Sequence, residues 1–294
     1  MVVVRAPATS ANLGSGFDVF GVALDRPADI LRVSRADETT IEVTGAGSQY
    51  IPEDPAKNTA GVVAEELDAP ARIEIDKGVR PSSGLGSSAA SAAGAAVALD
   101  ALYDRGLSDS ELVRVAAEGE AAVSGEAHAD NVAPAVFGGF TIVTDDEITA
   151  VDTALPIVVC LPEIVVSTRD ARGVIPESVD LDAVVETVGS AATLTAGMFR
   201  RDPDLVGRGL RDGIVTPARA DLIDGYDAVC RAAEGAGATG VTVSGAGPAV
   251  LAVCRRGTRT AVASAMIDAF DAEGVDARAY QTRVGGGTTV YETG

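Results

Sequence analysis

Along this chain, stretches where apolar and polar residues alternate sit between stretches where apolar residues recur every three to four positions. That difference in period assigns most of the elements. VVVRAP (2–7) and DILRVSRADETTIEVTG (29–45) read as strands, the second by its alternation around Ile41 and Val43. KNTAGVVAEELDA (57–69) reads as a helix starting near Asn58 or Thr59, and ARIEID (71–76) as a strand through Ile73 and Ile75. SSAASAAGAAVALDALY (87–103) predicts a helix of small residues that can pack closely. LSDSELVRVAAEGEAAVSG (107–125) predicts another, with Ser108 as N-cap and Glu111 completing a capping box. VFGGFTIVT (136–144) returns to strand.

The periodicity lapses over 145–156, which suggests a division into an N-terminal domain, 1–150, and a C-terminal domain, 151–294. Beyond it, IVVCLP (157–162) reads as a strand, 181–200 and 202–214 as helical, and ATGVTVSGAGPAVLAVC (238–254) as strand, glycine turn, strand. A helix over 258–274 and a last strand near 277–283 follow. Strands and helices do not alternate regularly, so the fold class is α+β in two domains.

Composition narrows the chemistry. The 294 residues are 47% hydrophobic but only 4% aromatic, without tryptophan, so the core must be built mainly of Val, Ala, Leu and Ile. No apolar run is long enough to span a membrane, and the start MVVVRAPATS has no signal-peptide pattern. Cys160, Cys230 and Cys254 are widely spaced and read as reduced and structural in a cytoplasmic protein. The formal net charge is −20, and only Lys57 and Lys77 among the 23 basic residues are lysines. Acid-rich, lysine-poor composition predicts a cytoplasm at molar salt, where charge repulsion is screened within about 3 Å. Nucleic acids and anionic membranes are excluded as natural partners by the same charge.

The chemistry concentrates in VRPSSGLGSSAASAAG (79–94). A Walker-type loop needs a lysine after its last glycine, and none follows. The dinucleotide fingerprint G-x-G-x-x-G/A is matched by Gly84, Gly86 and Ala89, but the helix that follows leads to a second helix rather than to a strand ending in an acid. The remaining reading is a loop that delivers phosphate to a helix start at Ser87–Ser88. There the first amides lack internal partners and the helix dipole is positive. Ser82, Ser83, Ser87, Ser88 and Ser91 would add hydroxyl donors.

Residues 81–90 read P-x-x-G-L-G-S-S-A-A, and by their G-L-G-S-S-A-A run the chain here resembles the GHMP kinase superfamily. APATSANLGSGFDVFG (6–21) and SGEAHADNVAPAVFGGF (124–140) resemble segments particular to its homoserine kinase family. STRDARGVIP (167–176) and VSGAGPAVLAV (243–253) follow in the family's order. Ser15 stands where the family usually has proline, and Ala246 where it often has serine.

The resemblance, with the composition, points to a haloarchaeal source. It implies a ribosomal protein S5 domain 2-like N-terminal domain and a ferredoxin-like C-terminal domain. It also implies phosphorylation of L-homoserine by ATP, towards threonine, and a homodimer. It assigns ATP to Asn58, Pro81, Ser82, Ser83, Gly84, Leu85, Gly86, Ser87, Ser88, Ala89, Ala90 and Ser91, and Mg²⁺ to Ser88 and Glu120. The acceptor falls to Asn12, Asp18, His128 and Asp130, with Arg172 and Arg219 as a clamp for its carboxylate. Asp130 is the candidate catalytic residue. It either accepts the hydroxyl proton or orients the hydroxyl while the γ-phosphate takes the proton. A GHMP kinase for mevalonate, shikimate or pantoate is a second reading, which the segments around Asn12–Asp18 and His128–Asn131 oppose. A non-catalytic sensor is a third, opposed by the intact loop, Glu120 and both arginines.

Overall fold

The structure, a computed structural model, describes residues 1–125, 128–145 and 147–293. Glu126 and Ala127 of the 124–140 segment, Asp146 of the expected 145–156 boundary, and Gly294 lie outside the described residues.

The chain runs β1 (Val2–Ala11), β2 (Phe20–Arg35), β3 (Thr40–Gly45), α1 (Thr59–Glu66), β4 (Ala71–Lys77), α2 (Ser87–Tyr103), α3 (Asp109–Ser124), α4 (Ala129–Phe137), β5 (Phe140–Val143) and β6 (Ile148–Val151). It continues with β7 (Pro156–Pro162), α5 (Thr168–Gly173), α6 (Leu181–Arg200), α7 (Pro203–Gly209), α8 (Val215–Ala220), α9 (Tyr226–Gly235), β8 (Ala238–Val243), β9 (Val250–Cys254), α10 (Arg259–Ala272), β10 (Ala277–Arg283) and β11 (Thr289–Thr293).

The first sheet has the order β11-β1-β2-β4-β3, with β5 and β6 added beside the first half of β2. All its pairings are antiparallel except β3 with β4. The second sheet is antiparallel in the order β10-β7-β9-β8. Its β-α-β-β-α-β succession, with the first and third strands at the centre, is the ferredoxin-like arrangement. β7 alternates between two cores. Val158 and Cys160 face the layer of α9 and α10, whereas Ile157, Val159 and Leu161 belong to the core shared with the first sheet. α2 packs on β1 and β2 with its alanines from Ala89 to Ala98 fully buried, which is why small residues fill it.

Several expectations need correction. Residues 136–137 end a helix, α4, rather than open a strand: Asn131 and Val132 donate to the His128 carbonyl. β2 begins at Phe20 and the 145–156 lapse contains β6, both shorter in apolar alternation than the pattern requires. The helix expected over 202–214 ends at Gly209, as α7; Asp212 then accepts from the amides of Ile214, Val215 and Thr216 and starts α8 at Val215. The strand at 277–283 is not the last. β11 pairs with β1, so the end of the chain lies in the first sheet with the strands of 1–150.

Candidate active site

Between the two sheets lies a cleft of about 340 Å³. Its floor is the loop 79–86, which joins β4 to α2. Gly86 is the N-cap of α2 at φ +59°, and no side chain caps the helix. A Cβ on Gly86 would stand 2.0 Å from Thr9 Oγ1, which itself donates to Asn131 Oδ1 at 2.9 Å. Gly84, at φ +77°, has the Ser244 carbonyl 2.4 Å from where its Cβ would be. The second glycine turn, 244–247, thus lies against the first: Ser244 Oγ donates to Gly84 O at 2.7 Å and Ala249 N to Ser83 O at 3.2 Å. The loop is therefore braced from both sheets.

The expected nucleotide residues divide into two groups. Pro81, Ser82, Ser83, Gly84, Gly86, Ser87, Ser88 and Ser91 line the cleft. Leu85, Ala89 and Ala90 do not: their side chains are buried beneath it, and the Ala90 amide already donates to Gly86 O. The amides of Ser87, Ser88 and Ala89 belong to the first turn, which has no intrahelical acceptors. The serine hydroxyls need correction too. Ser83 Oγ donates to Arg80 O at 2.6 Å, Ser87 Oγ to Val79 O at 2.8 Å and Ser91 Oγ to Asp29 Oδ2 at 3.2 Å, so these three shape the loop. Asn58 caps α1, accepting from Ala60 N at 3.0 Å and donating to Pro52 O at 2.7 Å.

Ser88 Oγ donates to Glu120 Oε1, joining α2 to α3. Glu120 is 2% exposed. Burial pushes its carboxyl up to about 7, partly offset by the Ser88 hydrogen bond, with the Asp130 charge adding to the rise and the His128 amide opposing it. A carboxylate whose ionisation burial opposes is a place where a cation is favoured. One carboxylate and one hydroxyl suit Mg²⁺, which completes its shell with water and phosphate oxygens. Among the described residues no cluster of three or more acids, histidines or cysteines offers an all-protein cage.

The remaining side chains gather at the 12–18 turn, where Asn12 and Asp18 take positive φ. Asn12 Oδ1 accepts from Asp18 N, and its Nδ2 donates to Gly245 O at 3.0 Å. Buried Arg219 donates to the same Gly245 carbonyl at 2.7 Å and to Ala171 O at 3.2 Å. Arg172 donates to Asp18 Oδ2 at 2.6 Å. Both guanidiniums stack on Phe17, at 5.3 Å for Arg172 and 5.2 Å for Arg219. Asp130, in the first turn of α4, is 6% exposed. Burial, and then the Asp18 charge, push its carboxyl up to about 7, against the hydrogen bonds of nearby amides and the Arg172 charge. His128 lines the cleft beside it. Ser15, the departure from the family pattern, donates to Gly209 O at 2.6 Å.

Lys77 and Tyr50 of the cleft lining, and Phe17 beside it, escaped the sequence reading. Lys77 reaches the loop from the strand before it, Phe17 lies beneath both arginines, and exposed Tyr50 stands on the cleft wall. Lys77 left a signal: both lysines of the chain line this cleft.

Comparison with known proteins agrees with this geometry. A family model described as "GHMP kinases N terminal domain" matches residues 55–139, and one described as "GHMP kinases C terminal" matches 194–272. Homoserine kinase of Natronomonas pharaonis is 70% identical over 99% of this chain and 100% of its own length. That of Halorubrum lacusprofundi is 71% identical with the same coverage. A crystal structure of homoserine kinase from Cytophaga hutchinsonii superposes with a TM-score of 0.90 at 35% identity, covering 99% of this chain and 97% of that one. Mevalonate kinase of L. major, at 16% identity and a TM-score of 0.73, shares the fold. Carried by full-length identity as well as by the braced glycine loop, the conclusion is that this chain belongs to the homoserine kinase family of the GHMP kinases.

Proposed function

We propose that the cleft transfers the γ-phosphoryl group of ATP to the side-chain hydroxyl of L-homoserine, giving ADP and O-phospho-L-homoserine, a step towards threonine. The observation that carries this reading is one cleft holding both an uncapped N-terminus of a long helix and the Arg172–Asp18 pair. The first suits phosphate, and the second matches the two charges of an amino acid.

The amides of Ser87, Ser88 and Ala89 donate to phosphate oxygens, and the 79–86 loop excludes side chains from their path. Asn58 shapes the wall near the nucleotide base through its cap on α1. Ser88 and Glu120 would hold Mg²⁺, which when bound neutralises charge on the phosphates. Arg172 and Arg219 receive the acceptor carboxylate, and Asn12 and Asp18 its ammonium, with His128 beside them. The acceptor oxygen forms the bond to the γ-phosphorus and the bond to the bridging oxygen breaks, its electron pair leaving on ADP. The hydroxyl proton passes to Asp130, whose raised pKa suits a base working near neutrality. The reading includes a cytoplasmic enzyme working at molar salt as a homodimer, with the units 1–150 and 151–294, the second lending β11 to the sheet of the first.

Phosphorus NMR of a mixture with ATP, Mg²⁺ and homoserine at molar KCl tests it. A new phosphomonoester coupled to the side-chain methylene protons of homoserine is expected. ADP and inorganic phosphate without that signal would contradict it.

A further inference from the structure

Two buried charged groups beneath the phosphate loop belong to none of the roles above. Asp29 of β2 has no exposed surface, and Lys77, at the end of β4, is 3% exposed. Asp29 Oδ1 accepts from the amides of Gly78 at 3.0 Å and Val79 at 2.9 Å, while Oδ2 accepts from Lys77 Nζ and from Ser91 Oγ. Besides Asp29, Lys77 Nζ donates to Ser87 O and Ser91 Oγ, both at 2.8 Å. Four donors meet the carboxylate and three acceptors meet the ammonium. Burial pushes the Asp29 carboxyl up and the Lys77 ammonium down, while each partner's charge opposes the other's shift.

These bonds have a particular placement. Asp29 fastens the backbone where the phosphate loop begins, at Val79, and Lys77 fastens it where the loop ends, at Ser87. The Ser87 hydroxyl closes the same gap by donating to Val79 O. Both ends of the loop are thereby tied to one ion pair. For stability alone the pair is a poor device, because well-packed apolar residues of similar volume serve as well or better. Its chemistry is also specific. The chain uses arginine for all but two of its 23 basic residues, yet keeps lysine here. Three acceptors around one buried nitrogen suit a compact ammonium, and a planar guanidinium does not fit that geometry.

We propose that Asp29 and Lys77 are positioning residues for the phosphoryl donor: their pair fixes the separation and orientation of the two ends of the 79–86 loop, and so the aim of the Ser87–Ala89 amides. The proposal rests on the ATP reading of the cleft. Lys77 acts through the Ser87 carbonyl and Asp29 through the Val79 amide.

The test compares the wild-type protein, Lys77→Met, and the double variant Asp29→Asn with Lys77→Met, in molar KCl. The double variant leaves no unpaired charge and keeps an acceptor for the Gly78 and Val79 amides, so it folds even if the single variant does not. Calorimetric titration with ADP, melting temperature, and the KM for each substrate are measured. On this account ADP affinity and the KM for ATP worsen by about tenfold or more in every folded variant, while the KM for homoserine stays within about twofold. The double variant melts near the wild type. A purely structural pair would not separate the two KM values in a variant that is fully stable. Wild-type ADP affinity in the double variant overturns the proposal, as does a loss that falls on homoserine instead. Wild-type protein that binds ADP but does not phosphorylate homoserine overturns the assigned acceptor, and leaves the loop claim to be decided by the ADP titrations.

Discussion

Arg172 donates to the Asp18 carboxylate at 2.6 Å, so the two groups assigned to opposite charges of an amino acid hold one another in this structure. An acceptor bearing both ammonium and carboxylate can replace each partner of the pair; an acceptor bearing one charge leaves the other group unmatched. Arg172→Ala should therefore act on homoserine. Loss of a charge-assisted contact costs about 1.5–3 kcal/mol, which is roughly tenfold to a hundredfold in kcat/KM for homoserine. ADP affinity should hold. Paired titrations, one with ADP and one with homoserine, check this, and weaker ADP binding with unchanged homoserine saturation would contradict it.

Gly86→Ala should do the reverse. The added Cβ meets Thr9 Oγ1 at 2.0 Å in a backbone conformation that non-glycine residues rarely adopt. The strain is on the order of 1–3 kcal/mol and falls on the turn that presents the α2 amides. A rise of about tenfold or more in the ADP dissociation constant is expected, with a lower melting temperature. Unchanged ADP affinity would remove the loop from the phosphate site.

Asp130 gives a pH dependence with a definite sign. Its carboxyl is raised from 3.8 to about 7 by burial and by Asp18. As a base it works ionised, so kcat/KM should rise with pH through about 7. Stability runs the other way. Between 3.8 and about 7 the folded state keeps a proton that the unfolded state has lost. The contribution of Asp130 to stability is therefore full below that window and is lost as pH rises through it. Asp130→Asn should remove this part of the stability slope and lower kcat by about a hundredfold or more. Melts and rates from pH 5 to 8, with and without the substitution, read both signs.

The surface charge predicts dependence on salt. A formal charge of −20 repels itself in dilute buffer. Melting temperature should climb steeply between 0.1 M and about 3 M KCl, because screening over a few ångströms needs molar salt. A flat profile would contradict adaptation to a saline cytoplasm and leave the active site untouched.

Local sequence carried those elements whose period and caps are decided within the element. α2 was legible because its alanines and serines form one run, and α3 because the Ser108–Glu111 box closes on itself. α4 was not, because two glycines and Phe140 follow it closely and its start is set by the His128 carbonyl. β11 was not, because its partner is at the other end of the chain. The site shows the same division. The glycine loop and the four motif segments are contiguous and could be found by resemblance. Lys77 escaped because its role depends on Asp29, 48 positions away in sequence. Phe17 escaped because its two arginines come from α5 and α8, which only the folded chain brings together.

The most direct measurement is ADP release with a panel of acceptors at molar KCl: L-homoserine, 4-hydroxybutyrate, 3-aminopropanol, mevalonate and shikimate. Homoserine should turn over fastest. 4-Hydroxybutyrate, which lacks the ammonium, and 3-aminopropanol, which lacks the carboxylate, should each lose about tenfold or more in kcat/KM. Faster turnover of mevalonate or shikimate, or equal use of the singly charged alcohols, would contradict the assignment of Asp18 and Arg172 to the two ends of an amino acid.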